Sequence, residues 1–244
     1  MIGVSEIAEL GALVGDPARA AMLVALMAGR PLSAGELAYF ANVSPQTASS
    51  HLGKLAQSRL VAIEARGRHR YYRLAGPSVA ETVEAIMRLA AQLPPRHRPS
   101  SPRDERLRVA RSCYDHLAGR LGVALTEALV RERYLQPAPR AFRLTPEGKA
   151  FLAGLGFDLG ELRAARRALA RPCLDWSERR PHLAGALGAA LARHCLERGW
   201  LERARGERSL TITPAGRRGF REQFRLDIDP LLAHSRPSRA TPTG

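Results

Sequence analysis

The first ninety positions alternate between short apolar blocks at helical spacing and polar punctuation. Ser5 opens a short helix that ends near Gly15. Asp16-Pro17 is a cap followed by a proline in the first turn, where the missing N–H costs nothing. The helix it starts runs to Gly29, with Leu23, Leu26 and Met27 on one face. Ser33-Ala-Gly-Glu36 is a capping box, in which hydroxyl and carboxylate each satisfy an orphan amide. Its helix ends near Phe40, and Ala41-Asn42-Val43 forms a tight turn. Ser44-Pro45 then begins a helix through QTASSHLGKLAQS to about Ser58, with Ala48, Leu52 and Leu55 facing the core. LVAIEA and RYYRL read as strands joined by a turn at Arg66-Gly67-Arg68-His69. A last helix, PSVAETVEAIMRLAAQL, aligns Val79, Val83, Ile86 and Leu89 on one stripe.

The pattern breaks at LPPRHRPSSPRDE, where repeated Pro removes backbone donors and predicts a linker over 94–104. It separates a first domain, 1–93, from a second, 105–230, and the tail 231–244 has no apolar pattern and reads as disordered. The second domain repeats itself. HLAGRLGVALTEALVRERYL from His116 lines up with HLAGALGAALARHCLERGWL from His182, and FRLTPEGKAFL from Phe142 with LTITPAGRRGF from Leu210. Each copy reads as a helix, a hairpin whose first strand starts at Tyr134 or Trp200, and a helix capped by Thr145-Pro146 or Thr213-Pro214. Arg205-Gly206-Glu207 is the expected turn of the second hairpin, and Gly199 closes the helix before it. The predicted fold is mainly α with small β-hairpin wings: an N-terminal winged helix-turn-helix and a C-terminal domain of two duplicated helix–hairpin–helix units.

Two short helices, a tight turn and a two-stranded ribbon are the parts of a DNA reader. The face of the Ser44 helix opposite its core stripe carries Gln46, Ser50, Gly53, Lys54 and Gln57, flanked by Thr47 and Ser49. Small hydrogen-bonding side chains there suit the major groove, where Gln pairs bidentately with adenine, while Lys54 suits a phosphate. Arg66, Arg68, His69 and Arg70 cluster at the hairpin tip, within reach of backbone phosphate or the minor groove. A solvated polar face and an ordinary charged hairpin tip are the plainer readings of each element taken alone. Their order along the chain favours DNA, with Ser44, Gln46, Thr47, Ser49, Ser50, Lys54, Arg66, Arg68, His69 and Arg70 as contacts.

VSPQTASSHLGKLAQSRLVAIEARGRHRYYRL resembles the DNA-binding core of ArsR/SmtB-type bacterial repressors: a Ser-rich helix ending in His-Leu-x-x-Leu, a Leu-Val strand, a Gly-Arg tip and a Tyr-Tyr-x-Leu strand. The resemblance covers residues 5 to 92, roughly a third of the chain. It implies a homodimer joined through the first helix and the helix from Ser78 to Leu93, with half-sites one DNA turn apart, ~34–36 Å. His51 matches the family's helix histidine and lies at the edge of the buried face, where packing or a hydrogen bond suits it. The family's metal sites do not carry over. The helix before the turn holds Ala38, Tyr39 and Phe40 in place of Cys-x-Cys. The last helix of this domain has no His, and Glu81 and Glu84 alone would be poor ligands for a borderline-soft ion.

Composition changes the picture in one place. The net charge of +15 favours polyanions, but its 38 basic residues include only two Lys, and the Arg excess looks like base-composition drift. Residues 1–93 hold 9 basic and 7 acidic groups, so charge does not locate the DNA-binding surface. Three cysteines make no disulfide framework. Two of them stand at equivalent places in the repeat: Cys113, Asp115 and His116 in one copy, Cys173, Asp175 and His182 in the other. Converged, they would suit zinc or a soft metal ion, and the two thiols could form a reversible disulfide. Against this, His follows Asp at once in the first copy and seven residues later in the second. Buried Cys, capping Asp and core His are the plainer reading, as is packing for Cys195. A small-molecule effector held between the repeats is a further alternative.

No run spans a bilayer and no signal pattern opens the chain, so a cytoplasmic protein is expected. No phosphate-cradling G-x-x-x-x-G-K, nucleotide G-x-G-x-x-G, G-x-S-x-G or H-E-x-x-H is present, so no enzyme is expected. The reading is a sequence-specific DNA-binding transcriptional regulator: a homodimeric repressor on a double-stranded DNA operator, released by a small-molecule or metal effector. The alternatives are a metal- or thiol-redox-responsive sensor using the Cys/His pairs, and a winged-helix protein-interaction module without DNA binding.

Overall fold

The computed structural model describes residues 3–67, 69–90, 92–93, 102–165, 167–203 and 208–233. They fall into two compact units, one of residues up to Leu93 with Arg208 grouped with it, the other of the remaining residues.

The first unit runs α1 (Val4–Gly15), α2 (Pro17–Leu26), β1 (Leu32–Ser33), α3 (Ala34–Ala41), α4 (Pro45–Gln57), β2 (Val61–Arg66), β3 (His69–Leu74) and α5 (Pro77–Ala90). Its caps are local chemistry. Asp16 accepts from the Arg19 amide, Ser33 and Glu36 close the capping box, and Ser44 accepts from the Thr47 amide. Asn42 ends α3 in the left-handed conformation (φ 53), which Asn tolerates better than most residues. The three strands form one antiparallel sheet in the order β1-β3-β2, with Ile63 opposite Tyr72 and Arg66 opposite His69. Met22, Leu23, Leu26, Leu37, Ala48, Leu52, Leu55 and Leu74 form the core. Two expectations shift. Ser5 lies inside α1, whose N-cap is Gly3 without a side-chain bond, and α2 ends at Leu26 rather than Gly29.

The second unit runs α6 (Pro102–Val109), β4 (Arg111–Cys113), β5 (His116–Ala118), α7 (Gly119–Arg131), β6 (Leu135–Ala138), β7 (Ala141–Leu144), α8 (Pro146–Gly154) and α9 (Leu159–Ala164). It continues with β8 (Arg171–Leu174), β9 (Pro181–Ala184), α10 (Gly185–Glu197), β10 (Leu201–Arg203), β11 (Leu210–Ile212), α11 (Pro214–Phe224) and α12 (Asp229–Ala233). The order hairpin, helix, hairpin, helix therefore occurs twice. Thr145 and Thr213 cap α8 and α11 by accepting from the Gly148 and Gly216 amides, and each hydroxyl donates to a carbonyl of the preceding turn.

The expected organisation needs correcting at three points. His116 and His182 lie on strands of leading hairpins, β4–β5 and β8–β9, and the helices start three residues later at Gly119 and Gly185. Residues 102–104, assigned to the linker, begin α6. Residues 231–233, assigned to the tail, end α12, where Leu231 and Leu232 pack on the core because they are the apolar residues of that turn. The turn at Arg205-Gly206-Glu207, the linker residues 94–101 and the tail from 234 onward lie outside the described residues.

The two sets of elements interlock. Leu210 N–H donates to the Ala110 carbonyl and Phe142 N–H to the Ala170 carbonyl, so each trailing hairpin bonds the segment before the other set's leading hairpin. Leu183 N–H in β9 donates to Thr126 Oγ1 in α7. Close approach at two glycines allows this. A Cβ on Gly122 would sit 2.5 Å from the Leu117 carbonyl oxygen and 3.5 Å from His182 Cβ. One on Gly188 would sit 2.4 Å from the Leu183 oxygen and 3.3 Å from His116 Cβ. Leu121, Leu125, Leu187, Leu191, Trp200, Phe220 and Phe224 fill the common core.

Candidate functional site

Two surfaces in two units carry candidate chemistry. In the first unit, Ala48, Leu52 and Leu55 bury one side of α4, and this turns Ser44, Gln46, Thr47, Ser49, Ser50 and Lys54 outward, all exposed. Ser44 Oγ lies 2.8 Å from Thr47 Oγ1, and Ser49 Oγ donates to the Pro45 carbonyl. These bonds tie the start of the helix while Gln46, Ser50 and Lys54 project from it. A cleft lined by Ser49, Gly53, Ile63, His69, Arg70 and Tyr71 lies between α4 and the β2–β3 wing. Arg66, His69 and Arg70 are exposed. Arg66 is held by Glu64 at 3.2 Å and sits over the Tyr71 ring at 5.6 Å, while Arg73 takes the other oxygen of Glu64. Arg68 lies outside the described residues. His51 turns inward: its Nδ1 is 3.3 Å from Arg19 Nη1 and 3.7 Å from Asp16.

In the second unit the leading hairpins bring two Cys–His pairs face to face. Cys113 is directly opposite His116 across β4–β5, and Cys173 directly opposite His182 across β8–β9. The first pair is closed by Tyr114 and Asp115 alone, with Tyr114 in the left-handed conformation (φ 60). The second is closed by a longer loop that leaves the register unchanged. One ligand atom from each of Cys113, His116, Cys173 and His182 lies within 4.8 Å of every other, and all four residues are buried. The imidazole centroids are 5.1 Å apart.

Asp115 and Asp175, grouped with these residues on sequence, stand outside the four-residue cluster. Each backs a histidine instead: Asp115 Oδ1 is 3.2 Å from His116 Nδ1, and Asp175 Oδ2 is 3.2 Å from His182 Nδ1. Both carboxylates are also paired with arginine, Asp115 with Arg167 and Asp175 with Arg111. Asp175 is wholly buried. It accepts from Arg111 Nη2 and the Gly119 amide, both at 2.7 Å, and from the Ser177 and Glu178 amides. It thus caps α7, a helix belonging to the other set of elements. His182, the Arg111 guanidinium and the Gly119 amide hold its carboxyl far below the usual carboxylate range, against the opposing effect of burial. Asp115 is lowered too: burial opposes ionisation, while His116 and Arg167 more than offset it.

The three thiols differ. The neighbouring Cys173 thiol outweighs burial and, with the His116 and His182 imidazoles beside it, draws Cys113 well below an ordinary thiol. Cys195, walled in by the core, is pushed up to about 12 by burial. Cys113 and Cys173 belong with the histidines, and Cys195 is a small hydrophobe.

Comparison with known proteins identifies a helix-turn-helix in the first unit. A helix-turn-helix domain model matches residues 14–64. The HTH-type transcriptional regulator YdfF of Bacillus subtilis is 43% identical over 223 residues, spanning 91% of this chain and 99% of that protein. Among solved structures, the homodimeric winged helix-turn-helix domain of Mb0332 from Mycobacterium bovis, a possible ArsR-family regulator, is 26% identical. It covers 40% of this chain and 90% of its own, at a TM-score of 0.34. The transcriptional repressor BigR of Xylella fastidiosa is 29% identical, over 35% of this chain and 86% of its own, at 0.31. Among the described residues no helix is long and apolar enough to cross a membrane. With nearly all of YdfF aligned and a helix-turn-helix in its first unit, the chain belongs to the family of HTH-type transcriptional regulators that includes YdfF.

Proposed function

We propose that the protein is a homodimeric, sequence-specific repressor acting on duplex DNA in the cytoplasm, with the second unit receiving the effector. The observation that carries this is the outer face of α4. It presents Gln46, Ser50 and Lys54 without an acidic group, beside a wing whose His69 and Arg70 are exposed. Gln46 and the small hydroxyls are the base readers, and Lys54, Arg66, Arg68, His69 and Arg70 the phosphate or minor-groove contacts.

The dimer is supported by apolar side chains that a monomer would leave in water. No residue of α1 is buried, and its Val4 and Ile7 are 86% and 66% exposed. Leu89 in α5 is 64% exposed and Leu93 just beyond it 66%. Exposed large aliphatics concentrated on two helices mark an association surface. We read the second unit as a tandem duplication, supported by the repeated element order, the paired Cys–His registers and the matched Thr-Pro caps.

The test is fluorescence anisotropy on the duplex upstream of the protein's own gene, at two or more salt concentrations. Gln46→Ala is expected to reduce discrimination against random duplex by about 1–3 kcal/mol. Lys54→Ala is expected to weaken all duplexes alike and reduce the salt slope by about one. Absence of salt-dependent binding by the unmodified protein overturns the proposal.

A further inference from the structure

We propose that Cys113, His116, Cys173 and His182 form a closed four-ligand site for a zinc-like divalent cation, bridging the two leading hairpins of the second unit. Four donors from four separate strands meet within 4.8 Å of one another. A tetrahedral zinc centre with bonds of about 2.0–2.3 Å has ligand–ligand edges of roughly 3.3–3.8 Å. The cluster therefore needs only a small contraction to close on an ion. Two sulfurs and two imidazoles are the donor set of a borderline cation, not of an oxygen-seeking one such as magnesium or calcium.

The surroundings favour the same reading. Each histidine has its Nδ1 against a carboxylate, Asp115 at 3.2 Å and Asp175 at 3.2 Å. For His116, whose Nδ1 is hydrogen-bonded to Asp115, this arrangement fixes the ring and leaves Nε2 for a metal, while Asp175 lies beside His182 Nδ1 without closing a hydrogen bond. Both ring nitrogens of His182 are buried with no hydrogen-bond partner among the described residues. Both backing carboxylates are neutralised from outside by Arg167 and Arg111. Charge then balances at the centre. One M²⁺ displaces one proton from each thiol, and two thiolates, two neutral imidazoles and the ion sum to zero, which a buried site can hold without an uncompensated charge. All four positions are taken by protein and all four residues are buried, so no coordination position is left for a substrate. This is the form of structural and sensing sites rather than catalytic ones.

The site rests on the second unit alone and does not depend on the DNA-binding reading. The test is a Co²⁺ titration of the full-length, reduced, chelator-stripped protein, followed in the visible and near ultraviolet. The expected result is one equivalent bound per chain, with intense tetrahedral d–d bands and thiolate-to-cobalt charge transfer, both bleached by Zn²⁺. Cys113→Ser and His182→Ala abolish that spectrum, Cys195→Ser leaves it unchanged, and Asp115→Asn weakens Co²⁺ affinity by about 10–100-fold. Should the ligand variants fail to fold, the unmodified protein still decides. Only the weak spectrum of octahedral Co²⁺, or no binding, overturns the proposal, as does a tetrahedral spectrum that persists in Cys113→Ser or is lost in Cys195→Ser. A thiol–imidazole hydrogen-bonded cluster would give that overturning result.

Discussion

Replacing Asp175 by alanine tests whether the second unit is held by the deeply buried Arg111–Asp175 pair. Arg111 is 1% exposed and its Nη2 is 2.7 Å from Asp175 Oδ1. The guanidinium also donates to the Leu107 carbonyl and Ser177 Oγ and lies 4.4 Å over the Trp176 ring. Those contacts keep Arg111 in place when the carboxylate goes, so a cation is left in the core without a counter-charge. Breaking a buried pair in this way costs about 3–5 kcal/mol. The Gly119 amide loses its acceptor as well, and a lost helix cap is typically worth about 1 kcal/mol, although the two losses share one group and do not simply add. The assay is urea unfolding followed by tryptophan emission. The chain's two tryptophans are Trp176 and Trp200, both in the second unit, so the signal reports that unit without interference from the first. With a urea slope of about 1–3 kcal/mol/M, the midpoint should fall by at least ~1 M. Asp175→Asn, which keeps an acceptor but no charge, should lose less. Pairing Asp175→Leu with Arg111→Met should recover much of the loss, since an apolar pair pays no desolvation. A loss below about 1 kcal/mol for Asp175→Ala would refute the reasoning, because a pair worth no more than an exposed one has no structural role.

Three further outcomes can be checked on the same protein. Gly122→Ala and Gly188→Ala each drive a methyl into a carbonyl oxygen, at 2.5 and 2.4 Å, and should destabilise the tryptophan-reported transition by roughly 1–3 kcal/mol; unchanged melts would show that the interlock has slack. Asp16 is lowered chiefly by the hydrogen bond from the Arg19 amide, so its cap contribution is complete above its unfolded pKa of about 3.9 and disappears as pH falls through the lower folded value. Circular dichroism melts of Asp16→Ala should therefore lie below wild type by about 0.5–2 kcal/mol at pH 7 and converge with it in strong acid; a gap that stays constant with pH contradicts the cap. Cys195, its thiol pushed up to about 12, should stay unmodified by iodoacetamide in the native protein and react on unfolding, as read by mass spectrometry; native labelling at Cys195 would contradict its burial.

The parts of this protein that its sequence determined by itself are those whose physics is complete within a few residues. Ser33 and Glu36 satisfy each other's amides three positions apart. Ser44-Pro45 starts α4, and the spacing of Ala48, Leu52 and Leu55 decides which face of that helix meets water. The helix-turn-helix and its outward residues were legible for that reason, as were the Thr-Pro caps of the second unit. The leading hairpins were not. Strands of three or four residues show no usable alternation, and a strand-forming His-Leu-Ala running straight into a helix reads as the helix's first turn. The unequal Asp–His spacing in the two copies argued against a shared site. Tertiary structure removes that objection, because in an antiparallel pair it is register and not loop length that sets which residues face each other, and both registers put Cys opposite His. It alone decided that Asp175 caps a helix of the other set and that Asp115 stands behind a histidine rather than beside it. Convergence of four strands depends on packing between elements some sixty residues apart, and no local pattern encodes that.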